Sequence, residues 1–320
     1  LSSYSSVGVS AVQAGTRILD QTVSCLQEIS TLAGETTPDS VGKLIAWMGH
    51  EDPIARSEAG LALARTSAQL RRRARLGLHA WNKQSTELTF TGLLLQMRQA
   101  LQDPNPLRRA AVAESLAHWD HETVVTFLSQ AMEDREPLVR VSAASALGQI
   151  KDVAAVSVLT TALADSSMWV RRAAAAALGA VGVAQAVPAL EKALRDPHQL
   201  VCCSAVMALG HIHTAKAREA LERAASSPDA AIRWYAVRGL GQIGTSGSYP
   251  ALQQLLEDDS ALFGQAIADI AAEALDAIER RERGAFSRLR RSFYALRRRV
   301  QKRRQANGLQ NGKNGQHSLP

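Results

Sequence analysis

Arg108, Val139, Val170, Val201 and Ile232 stand 31 residues apart. Eight positions further on, the same period holds Leu116, Leu147, Leu178, Leu209 and Leu240. Eleven positions on it holds Trp119, Ile150, Val181, Ile212 and Ile243. A fourth column, Leu128, Leu159, Leu190, Leu221 and Leu252, keeps register in the other half of the unit. Four columns in step over five units do not arise by chance. A repeat of this length is one supersecondary unit, too small to bury its apolar face alone. Stacked neighbours bury it together, so the period points to a solenoid.

Each unit reads as two short helices. With the first column called V, apolar or small residues recur at V, V+4, V+7, V+8 and V+11, one face at period 3.6. This is helix B. Helix A carries the Leu159/Leu163 spacing, repeated at Leu190/Leu194. Pro188 and Pro250 fall in its first turn, where a missing N–H is tolerated. Gly148, Gly179, Gly210 and Gly241 follow the column leucine, and their size admits a close neighbour. Aromatics make up only 4% of the chain and alanine is abundant, which favours close-packed helices over a β-rich core. The uncharged run at residues 173–190 is Ala-rich and broken by Gly179, Gly182 and Pro188, so it reads as two buried helices rather than a membrane span.

An aspartate lies six residues before an arginine in Asp103/Arg109, Asp134/Arg140 and Asp165/Arg171, while Asp196 and Asp258 meet Cys202 and Gly264. An acid in the A–B turn and a base in the next helix can build a ladder of charge-assisted hydrogen bonds along a stack. With this pairing and its VRRAAAAALG core, DSSMWVRRAAAAALGAVG resembles a HEAT repeat, most of all the short phycobilisome-lyase HEAT-like form. The resemblance covers residues 103–257, with an earlier unit at 50–64 and a decayed one at 258–278. It implies an all-α fold, a right-handed α-α solenoid of HEAT-like helix pairs. The organisation expected is an N-terminal helical cap (1–49), a divergent first repeat with an insert (50–102), and five regular units (103–257). A decayed capping repeat (258–279), a basic amphipathic helix (280–304) and a disordered tail (305–320) follow. The insert includes QLRRRARLGLHAWNKQ, which can prolong a helix or form another.

Catalytic chemistry is not written in the chain. It has no GxSxG, Walker or dinucleotide motif. HEAT-like iron hydroxylases place His-Glu pairs early in helix B, and the matching positions here, such as Ser57-Glu58 and Arg172-Ala173, hold none. No metal site is expected. Cys202 replaces a ladder arginine and Cys203 is expected on the helix B surface. A vicinal pair can hold a thiol-reactive ligand, but such cysteines are more often buried and inert. Three cysteines are too few for a disulfide framework, and no secretory signal pattern is visible, so a reducing, cytoplasmic setting is expected.

In HEAT-like solenoids helix B lines the concave surface, and its outward positions are taken as V+2 and V+6. Toward the C-terminal end these grow into Arg172, Cys203, Met207, Trp234 and Arg238, with Tyr235 beside Trp234. Trp, Tyr, Met and Arg anchor interfaces, so these six are the expected partner-binding residues.

The charge is concentrated elsewhere. Residues 1–279 hold 24 basic and 29 acidic side chains, whereas 280–304 hold twelve basic and one acidic. Phe286, Leu289, Phe293, Leu296 and Val300 form a helical stripe. Arg288, Arg290, Arg291, Arg297, Arg298, Arg299, Lys302, Arg303 and Arg304 surround it. Such a helix suits an acidic protein, RNA or an anionic membrane surface. Protein contact is the reading adopted. The function expected is a non-catalytic scaffold, adaptor or assembly factor that holds a protein partner in the groove and needs no cofactor. The family resemblance also admits a phycobilisome role, as a bilin lyase subunit or chaperone handling a bilin.

Overall fold

The computed structural model describes residues 22–76, 88–119 and 121–282. Contacts divide the chain into two compact units, residues 1–177 and 178–320. Helix follows helix throughout. The first unit holds α1 (22–33), α2 (Pro38–Trp47), α3 (Pro53–Arg75), α4 (Phe90–Ala100), α5 (Pro106–Leu116), α6 (Glu122–Ala131), α7 (Pro137–Ile150) and α8 (Val156–Ala162). The division falls within α9 (Met168–Val181). The second unit continues with α10 (Val187–Ala193), α11 (Gln199–His211), α12 (Ala215–Ala224), α13 (Ala230–Ile243), α14 (Tyr249–Gln254) and α15 (Ile267–Arg281). From α2 onward the even helices are A and the odd helices are B, so the all-α repeat of helical hairpins is observed. The charge-free run 173–190 ends α9 and begins α10, as two short helices. Among the described residues no helix is long and apolar enough to cross a membrane. The insert prolongs α3 as far as Arg75, and residues 77–87 lie outside the described part.

The leucine columns are the core. Leu116, Leu147, Leu178, Leu209 and Leu240 on helix B, with Leu128, Leu159, Leu190, Leu221 and Leu252 on helix A, are fully buried. Each stabilises the fold by roughly 1.5–3 kcal/mol relative to an exposed leucine. The glycine after the column leucine sets how closely helices B approach. A Cβ on Gly148 would lie 2.7 Å from Ala177 Cα, and one on Gly179 2.6 Å from Ala208 Cα. Both clash with backbone, so only glycine permits this spacing.

The charge ladder forms, but in a different register from the sequence pairs. Each arginine donates Nη1 to the carbonyl six residues back: Arg109 to Asp103, Arg140 to Asp134 and Arg171 to Asp165. The carboxylate gripped by Arg109 and by Arg140 lies 25 residues ahead. Arg109 makes a two-pronged contact with Asp134 at 2.7 and 2.8 Å, and Arg140 grips Asp165 at 2.7 Å through both prongs. In the second unit Arg233 reaches Asp258 at 2.8 Å and Ser260 at 3.2 Å. Each aspartate also accepts the N–H two residues on, which fixes its own turn. Burial works to raise the pKa of Asp134, Asp165 and Asp258. The hydrogen bonds from arginine and turn outweigh it and leave all three below the ordinary value of 3.8.

The decayed unit brings the one strand pair among the described residues. Ala261–Leu262 pairs antiparallel with Gln265–Ala266, and Phe263 and Gly264 make the two-residue turn between them. Both turn residues have positive φ, +52° and +76°. α15 then packs on α13 as a further helix B.

Candidate functional site

The expected partner-binding residues divide between the units. Arg172, in the first, is exposed on α9, with its guanidinium carbon 5.9 Å from the centre of the Trp169 ring. The other five lie in the second. Met207 is 46% exposed on α11, and Arg238 is exposed at the same repeat position of α13. Tyr235 is half-buried.

The outward placement expected for Cys203 and Trp234 requires correction, because both are buried. Position V+2 is not uniformly outward: Ala110 is buried like Cys203 and Trp234, Val141 is half-buried and Arg172 is exposed, and where the residue is buried, neighbouring side chains close over it. Around Trp234 those neighbours are identifiable. Tyr235 and Phe263 meet the indole edge-on at 5.0 and 5.5 Å, and the Arg238 guanidinium lies 4.8 Å from its ring centre. Such contacts are the favoured aromatic and cation–π geometries. The indole Nε1 is buried without a hydrogen-bond partner.

Phe263 covers Trp234 yet is itself 76% exposed. Its φ of +52° belongs to the left-handed region, which costs a bulky residue on the order of 1 kcal/mol. A two-residue hairpin turn with both φ values positive ordinarily holds Asn-Gly or Asp-Gly. Neither backbone preference nor burial accounts for phenylalanine at this tip.

Cys203 lacks the surface position expected of it, and Cys202 is buried at the ladder position. Cys202 donates its thiol to the Asp196 carbonyl at 3.2 Å, the contact that Nη1 of arginine makes in other units. Burial raises both thiols, and Cys203, with Asp229 adding to the effect, is pushed to about 11. Roughly one Cys203 in ten thousand is then a thiolate at neutral pH, so nucleophilic chemistry there is weak. Among the described residues no group of three His, Cys, Asp or Glu side chains could hold a metal ion.

One column escaped the sequence reading. The residue just before V is large, apolar and exposed in four helices B, Ile54 (55%), Leu138 (47%) and Trp169 (53%) in the first unit and Leu200 (46%) in the second, while Leu107 is half-buried and Ala231 is small. Single exposed apolar residues are ordinary, whereas their recurrence at one repeat position is a pattern. The signal was present in the alignment of units but fell outside the buried face that defined the period. The basic segment from Phe286 to Arg304, with its stripe and its arginines, lies outside the described residues.

The sequence matches the family of HEAT repeats over residues 94–179, 151–202 and 187–276, more than half of the chain. The chain belongs to the HEAT-repeat family. Comparison with the curated proteins finds no match. Among solved structures it is similar to importin beta, at 17% identity over 79% of this chain and 39% of that one, with a TM-score of 0.52. It is also similar to YibA of Escherichia coli, at 18% identity over 79% and 95% of the two chains and a TM-score of 0.47. The CpcE–CpcF complex of phycocyanin lyase from Nostoc sp. follows at 20% identity, over 83% and 95%, with a TM-score of 0.39. At these identities the likeness is one of fold alone. HEAT repeats typically mediate protein–protein contact, and this chain has the fold for it.

Proposed function

We propose that this HEAT-repeat chain is a non-catalytic protein-binding scaffold, an adaptor or assembly factor, whose docking surface in the second unit is built from Met207, Trp234, Tyr235, Arg238 and Phe263. The observation that carries this reading is Phe263, an exposed aromatic held in a strained turn over a tryptophan. Strain retained at an exposed residue is a mark of function rather than of folding. Aromatic, arginine and methionine side chains together are the composition of interface anchors. Arg172 and the exposed column of the first unit extend the apolar surface available there to a partner, and the basic segment 280–304 supplies a second contact.

Assignment to the phycobilisome-lyase type rests on the VRRAAAAALG core and the Asp/Arg pairing. A bilin-handling role would need a reactive thiol or a bilin cradle, and the buried, proton-retaining Cys202 and Cys203 give it no support.

A photo-crosslinking amino acid at position 263 of the full chain tests the scaffold reading in native lysate. A discrete, light-dependent adduct to a protein is expected. Adducts to nucleic acid alone, or none while the chain remains folded, would overturn it.

A further inference from the structure

The ladder has a vacancy at its start. Arg56 stands one position after Ala55, the V position of α3, where the ladder arginine belongs. It behaves like one on the near side, since Nη1 donates to the carbonyls of His50 and Glu51 at 2.7 and 2.8 Å. These match the near-side contacts of Arg109 and Arg140, so the guanidinium is oriented as in a complete rung. Its other edge, Nε and Nη2, has no partner among the described residues. In the complete rungs that edge grips a carboxylate with both prongs.

The aspartate that the repeat assigns to Arg56 is Asp103, in the turn before α5. It is taken by Arg108, whose Nη1 lies 2.5 Å from Asp103 Oδ2. Arg108 occupies the V column, where the next three units have valine. Its Nε is buried with no partner, so the rewiring is made at a cost.

Arg56 lines a cavity of about 360 Å³ between α3, α5 and α7, all in the first unit. The floor is made of small residues, Gly60, Ala111 and Ser115, and a Cβ on Gly60 would come within 3.2 Å of Ser115. Ser145 and Gln149 of α7 add polar groups, and Glu114 also lines the cavity, with Oε1 taking the Ser142 hydroxyl at 2.8 Å. The space is therefore open and polar, and Arg56, which has a planar two-donor edge to spare, is one of the residues that line it.

We infer that this cavity binds an acidic side chain of a partner polypeptide, whose carboxylate takes the place on Arg56 that aspartate fills in the complete rungs. A forked guanidinium edge matches a planar carboxylate. The Glu114 carboxylate in the same cavity opposes any anion, and a doubly charged phosphate more than a single carboxylate. The site lies in a different unit from the Phe263 surface, and either can fail without the other.

Amide-capped Ala-Asp-Ala added to the full-length protein, with the Arg56 Nε–H resonance followed by NMR, tests the inference. Arg56→Lys identifies the resonance and removes the fork while keeping the charge. Ser145→Phe, at an exposed position of α7, fills the cavity without touching the Arg56 turn. A saturable shift in the range of about 1–50 mM is expected for this minimal ligand. It should be absent with Ala-Asn-Ala and lost in Ser145→Phe at unchanged thermal stability. Equal shifts with the Asp and Asn peptides, no saturation, a response only to a peptide with a free C-terminal carboxylate, or a shift that survives Ser145→Phe would each overturn it.

Discussion

The ladder is altered in both units, and the changes at Cys202 and at Arg56 leave different chemistry behind. In the second unit both members of a rung have changed together: Cys202 stands for the arginine and Ser227 for the aspartate 25 residues on. The Cys202 thiol still meets the Asp196 carbonyl, and Gln199 reaches Asp229 at 2.7 Å to tie α11 to the next turn. In the first unit only the carboxylate has been withdrawn, and Arg56 keeps a donor edge without a partner among the described residues. Removing both partners of a polar pair is close to neutral, whereas removing one leaves a group that still seeks a partner. A neatly substituted rung is thus structural, and a half-emptied one is where a ligand is sought.

The largest effect should come from making another half-rung. Asp165→Ala strands the Arg140 fork, which is largely buried, and should destabilise the protein by about 3 kcal/mol or more, read by urea unfolding. Glu219→Ala, an exposed acid of α12 with no hydrogen bond or ion pair among the described residues, should stay within about 0.5 kcal/mol of wild type.

A double-mutant cycle sharpens the same contrast. Cys202→Arg alone buries an unmatched charge and should cost about 2 kcal/mol. Adding Ser227→Asp should recover at least about 1.5 kcal/mol of coupling if the carboxylate 25 residues ahead is the true partner. Additive effects would mean that the register of the ladder is misassigned.

Acid should act on the complete rungs together. The carboxyl pKa values of Asp134, Asp165 and Asp258 are depressed in the folded state. Their contribution is therefore complete above the ordinary value of 3.8 and is lost as pH falls through the lower folded values. Stability against urea should hold level down to about pH 5 and drop below about pH 4, and Asp134→Asn should flatten that drop.

The smallest effect is chemical. At neutral pH iodoacetamide should modify half-exposed Cys25 first and leave Cys202 and Cys203 intact until the protein unfolds, as mass spectrometry of digests would show.

Much of this was legible in the chain. The leucine columns became the buried core because period and burial are the same fact in a stacked repeat. The spacing of Asp134 and Arg140 announced a ladder but not its register. The carboxylate fixes its own turn while reaching back to the previous arginine, and one repeat cannot show that. Trp234 was assigned outward from its helical position, but a hairpin from the next unit covers it. The only local sign of that hairpin was Gly264 after Phe263. The Arg56 vacancy was hidden because the insert moves Asp103 from 25 to 47 residues away, and because Arg108 takes the carboxylate in three dimensions.

The most direct test of the scaffold account is quantitative affinity enrichment from native lysate with the full chain, Phe263→Asn and a chain lacking residues 283–320. Asparagine suits the left-handed turn, so the fold should be kept or slightly strengthened while the aromatic tip is lost. The account predicts defined protein partners on the full chain, strongly depleted on Phe263→Asn and retained, though weakened, without the basic segment. Recovery of the same proteins on Phe263→Asn at undiminished levels would contradict it. So would a bound fraction of only RNA or lipid, released by removing residues 283–320.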